Sequence, residues 1–389
     1  MLYTAIGISD DIDMETSVGQ VIEDCLHQLG ERHPEIGIVY TSCMDADLGA
    51  IGRRISAAFP SAQLIGCTTD GEITAQFGFS EDAVALLLLS ADNVRFATSL
   101  ARDISQFPEE SIRQAYVEAR EKLGCAPLCT MVLPDGITSI GISLDKLFRE
   151  IMGDTFPVFG GIAGDHFRLE TTYQFYGDQV VTDSMPILLM AGELDLVASV
   201  FTGPTPFGPF YQIDSFHKNT IFRINDRSVI DFYRDEYGEY IEMYTNFPLA
   251  VYPNDGENYF LRNPLLVNEE QGTIDFVGNF PENCKVRLTQ VLREEILRSA
   301  EDANYKLLEG LQGREPELVL IFSCTARRHV LGSETDKEVA ILRNSGRNIP
   351  FFGFYCYGEL APFAIGSPVR FHNETFAAVA FCSREKEDE

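Results

Sequence analysis

Arg262, Arg327, Glu72 and Glu359 are the residues of this sequence best suited to holding a small ionic ligand. A guanidinium is a rigid planar fork that meets a carboxylate through two parallel hydrogen bonds. The chain carries 59 acidic against 30 basic residues, a formal charge of −29. In so acidic a chain an arginine at a pocket mouth is the natural anion anchor. Glu72 and Glu359 would accept from an ammonium, so an amino-acid zwitterion would satisfy both ends. The competing arrangement is an Arg–Glu ion pair that ties two loops together. Tyr355 and Tyr357 would wall an apolar pocket beside them, or else pack as core aromatics.

A second chemistry would centre on Cys324. Arg327, Arg328 and His329 follow it at the start of an expected helix, and cations near a helix start lower a thiol pKa. A Cys-dependent enzyme would take Cys324 as nucleophile and His329 or His372 as base. Against this, cysteine is among the most buried residue types. Cys43 and Cys324 both follow a serine in related segments, whereas the third such segment has Pro134 near that place, so the unit does not require a thiol. Metal ligation has little support: Cys125 and Cys129 lie four apart with Pro127 between them and no histidine close behind. Haem needs a single axial donor. His217 is the first candidate, with Phe207, Phe210, Tyr211, Phe216 and Phe222 nearby and Lys218 and Arg223 for propionates; His166 comes second. No CxxCH occurs, so any haem would be non-covalent.

These residues hang on a threefold echo. One segment runs from Ile36-Gly-Ile-Val-Tyr-Thr-Ser-Cys43 to Leu64-Ile-Gly-Cys-Thr-Thr-Asp-Gly-Glu72. Another runs from Thr130-Met-Val-Leu-Pro134 to Val158-Phe-Gly-Gly-Ile-Ala-Gly-Asp165, and a third from Leu318-Val-Leu-Ile-Phe-Ser-Cys324 to Phe351-Phe-Gly-Phe-Tyr-Cys-Tyr-Gly-Glu359. Each opens on a short apolar run, as a strand buried on both faces does. Each continues with helical spacing, such as Leu48, Ile51, Ile55 and Phe59. Each closes on a strand that breaks at glycine and is followed by an acid: Glu72, Asp165 and Glu359, the last after Gly358. Further strands are expected at 83–89, 187–191 and 376–381, and amphipathic helices over 18–29 and 112–123, with a long one from Leu288 to Leu308. The expected fold is α/β, with mixed β-sheets built from three related βαβ-type units. Three prolines and two glycines in 202–209 cannot continue a helix or a central strand. The boundary between two domains, 1–205 and 206–389, is placed there.

Charge and composition close off other classes. The acidic field repels nucleic acid and anionic lipid. No apolar run is long enough to span a bilayer. No basic, apolar leader is evident, and nine scattered cysteines fit free thiols in a reducing cytoplasm. The glycine patterns lack the Lys-Ser/Thr of a phosphate-binding loop.

The sequence resembles the FIST family of intracellular signal-transduction proteins, in the order of its N- and C-terminal domains. The match rests on Ile65-Gly-Cys-Thr-Thr-Asp-Gly-Glu72, Phe159-Gly-Gly-Ile-Ala-Gly-Asp165, Tyr259-Phe-Leu-Arg-Asn-Pro264, Phe322-Ser-Cys-Thr-Ala-Arg327, Pro350-Phe-Phe-Gly-Phe-Tyr-Cys-Tyr-Gly-Glu359 and His372-Asn-Glu-Thr375. The resemblance implies a sensory, non-catalytic role with amino-acid-like ligands. It adds Asn373, from the last of these motifs, to the expected site. Relatives are fused to receptor, kinase or cyclic-dinucleotide modules. This chain has no room for one, so it is expected to signal through a separate protein such as a histidine kinase. One free-standing subset consists of nitric-oxide-sensing haem proteins. The F-box of the eukaryotic relatives is not seen.

Overall fold

The protein is described from a computed structural model that covers residues 1–239, 246–253 and 259–384. Three units share one order of elements: strand, helix, strand, helix, strand, hairpin, strand. The first is β1 (Leu2–Ser9), α1 (Met14–Leu29), β2 (Ile36–Thr41), α2 (Leu48–Ala58), β3 (Gln63–Thr68), the hairpin β4 (Glu72–Thr74) and β5 (Gly78–Ser80), and β6 (Val84–Ala91). The second is β7 (Val94–Arg102), α3 (Pro108–Leu123), β8 (Cys129–Val132), α4 (Leu144–Met152), β9 (Val158–Gly161), the hairpin β10 (Gln174–Tyr176) and β11 (Gln179–Val181), and β12 (Ser184–Gly192).

The third unit begins with β13 (Leu194–Thr202) and then carries an insertion: β14 (Thr205–His217), β15 (Thr220–Ile224), β16 (Arg227–Ser228), α5 (Val229–Tyr237), β17 (Leu249–Tyr252), β18 (Phe260–Arg262), β19 (Pro264–Asn268), β20 (Thr273–Phe276) and β21 (Lys285–Gln290). It resumes with α6 (Arg293–Gly310), β22 (Leu318–Cys324), α7 (Thr325–Leu331), a 3-10 segment (Gly332–Val339), α8 (Ala340–Arg343), β23 (Phe351–Cys356), the hairpin β24 (Glu359–Pro362) and β25 (Val369–His372), and β26 (Thr375–Ser383).

Each unit builds a mixed sheet around one parallel pair: β2–β3, β8–β9 and β22–β23. The hairpins do not stay at home. β4–β5 joins the third sheet beside β23, β10–β11 joins the first beside β3, and β24–β25 joins the second beside β9. The three sheets are therefore interlocked in a ring. Every sheet alternates with period two between a shared centre and its own helices. In β6, Ala85, Leu87 and Leu89 face the central core while Leu86 and Leu88 pack under α1 and α2. In β22, Leu318, Leu320 and Phe322 face the centre while Val319 and Ile321 face the α6 side. Burial on both faces is why these strands read as unbroken apolar runs.

One glycine per unit is required by the parallel pair. A Cβ at Gly66, Gly160 or Gly353 would lie 2.0 Å from the carbonyl oxygen of Val39, Val132 or Ile321 respectively. Both helices of the first unit begin on side-chain caps: Asp13 accepts from Thr16 N (2.8 Å), and Asp47 accepts from Ala50 N (2.9 Å).

Three expectations change. The 202–209 stretch breaks only at Gly203 and Pro204, between β13 and β14, and β14 then runs through Pro206, Gly208 and Pro209. It pairs with β21 up to Gln212 and with β15 from Ile213, with a register shift between Phe207 and Tyr211. The prolines lie where β14 has a partner on one side only, so no ladder donor is missing. The expected 205/206 boundary falls at the first residues of this strand. Leu288 lies in β21 rather than in the long helix, which starts at Arg293. Finally, a loop after Gly161 occupies 162–173, so the unit-two residue matching Glu72 and Glu359 is Gln174, not Asp165. Among the described residues no helix is long and apolar enough to cross a membrane.

Candidate functional site

Aligning the parallel pairs on Gly66, Gly160 and Gly353 brings matching positions of the three units to the same end of the ring. Ser42, Asp135 and Cys324 share one position; Thr69, Ala163 and Cys356 share another. Cys324 is thus the counterpart of Ser42, not of Cys43, and Asp135 rather than Pro134 holds the place in unit two. The acid position is filled by Glu72, Gln174 and Glu359, all fully buried. Glu72 accepts from Ser42 Oγ (2.9 Å) and Thr69 Oγ1 (2.5 Å). Glu359 accepts from Thr375 N (3.2 Å), Thr375 Oγ1 and Cys356 Sγ (3.3 Å). Burial pushes each of these carboxyls up to about 8, so both are largely neutral at pH 7. Gln174, whose Oε1 accepts from Ser184 Oγ (3.1 Å), is the neutral isostere of a protonated glutamate.

A cavity of about 60 Å³ opens at this end, several times the ~10–15 Å³ that one water needs. Its floor is Cys324, Thr325, Cys356, Asn263 and Asn373, and its walls include Ile140, Phe167, Leu169, Leu265, Val277, His329 and Tyr357. Asn263 reaches it from the turn between β18 and β19, where its N donates to Asn373 Oδ1 (3.1 Å) and its Nδ2 to Glu374 Oε1 (3.0 Å). The insertion and the third unit are thus joined across the site.

The polar groups here are not balanced. Asn263 Oδ1 and Thr325 Oγ1 are buried without a hydrogen-bond partner, as are Asp70 Oδ2 and Glu374 Oε2 just behind them. Thr325 Oγ1 faces the Asp70 carboxylate without reaching hydrogen-bond geometry, though near enough to hold the carboxyl down somewhat. Burial is the larger influence and raises Asp70 to about 6. Buried polar atoms are normally paired, so three carbonyl or carboxyl oxygens left open beside a hydroxyl call for donors from outside.

The loop after β9 covers the cavity. Asp165 ties it down: Oδ1 accepts from Leu169 N (3.0 Å) and Tyr357 OH, and Oδ2 from Glu170 N (2.8 Å) and Thr171 N (3.0 Å). Within it His166, Phe167 and Leu169 have φ of 58°, 59° and 55°, the left-handed region that L-residues avoid. Such strain concentrates where a segment must be held in one shape at a site. It presents Phe167, 39% exposed, edge-on to His329 (5.1 Å) and Tyr357 (5.8 Å). Burial first and Arg328 second lower the His329 pKa, so its ring is neutral near pH 7.

The expected site residues are therefore divided. Cys324 and Asn373 line the cavity, with Tyr357. Gly358 sits behind, where a Cβ would meet the Phe371 ring. Glu72, Asp165 and Glu359 support the loops. Arg327 is not a ligand anchor: fully buried, it donates from Nε to Glu338 Oε1 (2.8 Å), from Nη1 to Ser299 Oγ (3.0 Å) and Glu374 O (3.3 Å), and from Nη2 to Ile296 O (3.0 Å). Tyr355 belongs to the same cluster, its OH donating to Glu338 Oε2 (2.6 Å). Arg262, the last residue of β18, lies in a different pocket, beside Asn279, Phe280 and Arg370. Cys324 is a poor nucleophile, because burial, then Glu359 and Glu374, raise its pKa far above the usual value.

The haem candidates do not fit. His217 is exposed at the β14–β15 hairpin, and Phe207, Phe210 and Phe222 are 42%, 54% and 41% exposed, leaving no walled slot for a macrocycle there among the described residues. His166 Nε2 is engaged with Ser42 O, and His372 Nε2 with Ala361 O (3.0 Å).

The sequence matches the FIST N domain over residues 35–227 and the FIST C domain over 229–362. An uncharacterised protein of Methanocaldococcus jannaschii is 23% identical over 283 residues, 68% of this chain and 52% of that one. The chain spans about half the length of that curated relative. Among solved structures, a cyanuric acid hydrolase from A. caulinodans is similar at TM-score 0.40 and 7% identity, covering 99% of this chain and 100% of that one. PurLQS from Thermotoga maritima is similar at 0.21 and 9%, covering 98% and 73%. At those scores neither likeness carries an argument about this chain.

Proposed function

This chain belongs to the FIST family, whose domains are linked to small-ligand sensing in signal transduction, and on that premise we propose that it senses an amino-acid-like ligand bound in the central cavity. The observation that carries the reading is the set of open oxygens: Asn263 Oδ1 and the Thr325 hydroxyl, which can accept as well as donate, on the cavity, with Asp70 Oδ2 and Glu374 Oε2 behind them. An ammonium supplies three donors and no acceptor, the complement of that set. Phe167, His329 and Tyr357 provide the wall for a small side chain. Binding beneath the strained 165–171 loop changes how exposed Phe167 packs, which gives a partner protein, such as a histidine kinase, a surface to read.

Thr325→Val tests this. It exchanges the hydroxyl for a methyl group of nearly equal size, so the unliganded protein loses only the weak support that this hydroxyl gives the Asp70 carboxylate. A thermal-shift screen of amino acids, simple amines and simple carboxylates should find selective stabilisation by an amine-bearing compound, and Thr325→Val should remove it. Stabilisation by carboxylates alone, or a shift unchanged in Thr325→Val, would overturn the proposal.

A further inference from the structure

Arg262 stands one residue before the cavity-lining Asn263 and faces away from it, into a second pocket of about 300 Å³ between α4, β18 and the β24–β25 hairpin. It is 4% exposed. Its Nε donates to Asn279 O (3.0 Å) and its Nη1 to Leu261 O (2.9 Å) and Phe371 O (3.1 Å). Nη2 has no partner among the described residues, and no carboxylate among them lies within ion-pair distance of this guanidinium. A buried arginine is normally paired. The contrast is sharp in a chain where acids outnumber bases almost two to one.

The surroundings add charge of the same sign. The pocket is lined by Lys146, Arg149 and Arg370 as well as Arg262, against the acids Asp145 and Glu282. Neither Arg149 nor Arg370 has an ion-pair partner among the described residues, and Arg149 donates only to Asp145 O (3.1 Å). Arg262 and Arg370 share the ring of Phe260, at 4.3 and 5.9 Å from its centroid. Two guanidinium groups on one ring repel each other unless an anion joins them. Phe260, Phe280 and Pro281 leave an apolar wall beside the cations.

We infer that this pocket is a second ligand site, selective for an organic anion whose carboxylate or phosphate group bridges Arg262 and Arg370 and whose apolar body lies against Phe260 and Phe280. A planar fork with a free Nη2 suits an oxyanion, and a neighbouring fork completes a bidentate clasp. The site is separate from the amine-seeking cavity and does not depend on it.

The test uses the full chain with phenylacetate, phenyl phosphate and inorganic phosphate, each read by calorimetry and thermal shift against sodium chloride of matched ionic strength. At least one aryl anion should bind more tightly than inorganic phosphate, and its affinity should fall with added salt. The better of the two aryl probes identifies the oxyanion as carboxylate or phosphate. Arg370→Gln should lower that affinity by about tenfold or more, the loss of one charge-assisted contact. The same variant should leave the unliganded protein as stable or more so, because it removes repulsion on Arg262. Arg262→Gln should also abolish binding, and Arg370→Gln keeps the test decisive if that variant misfolds. No shift beyond sodium chloride for any anion, or unchanged binding in Arg370→Gln, would overturn the inference. Failure here leaves the amine screen and Thr325→Val untouched, so the two readings fall separately.

Discussion

Arg262 and Arg327 are both buried arginines, 4% and 0% exposed, and their environments are opposite. Arg327 is closed: Glu338 takes its Nε and Nη2 at 2.8 and 2.7 Å, and its remaining hydrogen bonds end on Ser299 or on backbone carbonyls. Glu338 in turn holds Ser323 Oγ (2.9 Å) and Tyr355 OH, so four side chains from α6, β22, the 3-10 segment and β23 form one locked cluster with Arg327. Arg262 is open: three backbone carbonyls hold it in place, neither an acid nor a partner for Nη2 is found among the described residues, and the side chain lines the pocket. A buried cation with a full partner set is architecture, whereas one held only by neutral carbonyls keeps its charge available to a ligand.

The largest effect should come from the closed arginine. Glu338→Ala leaves Arg327 buried and uncompensated and should lower stability by about 3–5 kcal/mol, read by urea unfolding. Arg262→Gln breaks hydrogen bonds to carbonyls but no ion pair, and should cost roughly 1–3 kcal/mol. If Arg262→Gln proves the more damaging of the two, the distinction between an architectural and a poised arginine fails.

A smaller effect sharpens the contrast from the acidic side. Glu72 and Glu359 rise through burial from the usual 4.5 to about 8, and Asp70 from 3.8 to about 6. A raised carboxyl binds its proton more tightly in the folded state. Its contribution is therefore complete below the unfolded value and is lost as pH rises through the folded one. Thermal stability should decline between about pH 4.5 and 8 and level off above that. Glu359→Gln, which places in unit three the side chain that Gln174 supplies in unit two, should flatten the decline. A slope of the opposite sign, or one unchanged in the variant, would show that these carboxylates are ionised and paired in the folded state.

The smallest expected change concerns the thiols. Exposed Cys125 should alkylate quickly in the native protein, while Cys324 and Cys356, fully or nearly buried and with pKa values pushed up by burial and Glu359, should stay silent. Fast, selective labelling of Cys324 near neutral pH, followed by mass spectrometry, would revive it as a reactive group and move the chemistry of the cavity away from passive binding.

The repeat, its apolar strands and its glycines were determined by the sequence alone, because each depends on contacts within one parallel pair. Gly66 and Gly353 recur since a Cβ would strike the neighbouring strand's carbonyl wherever that pair forms. Cys324 and Asn373, named from the sequence, line the candidate cavity, and Asn263 and Glu374 stood inside recognisable motifs without drawing attention to their unpaired atoms. Phe167 gave no signal, as its place over the cavity follows from a left-handed loop that Asp165 fastens from several residues away. The match of Gln174 to Glu72 and Glu359 was hidden by the same 162–173 loop, which offsets the spacing along the chain but not the pairing in the sheet. Only the tertiary structure could separate Arg262 from Arg327. Side-chain type is local, but whether a buried charge meets Glu338 or an open pocket depends on which distant segments the exchanged hairpins bring beside it.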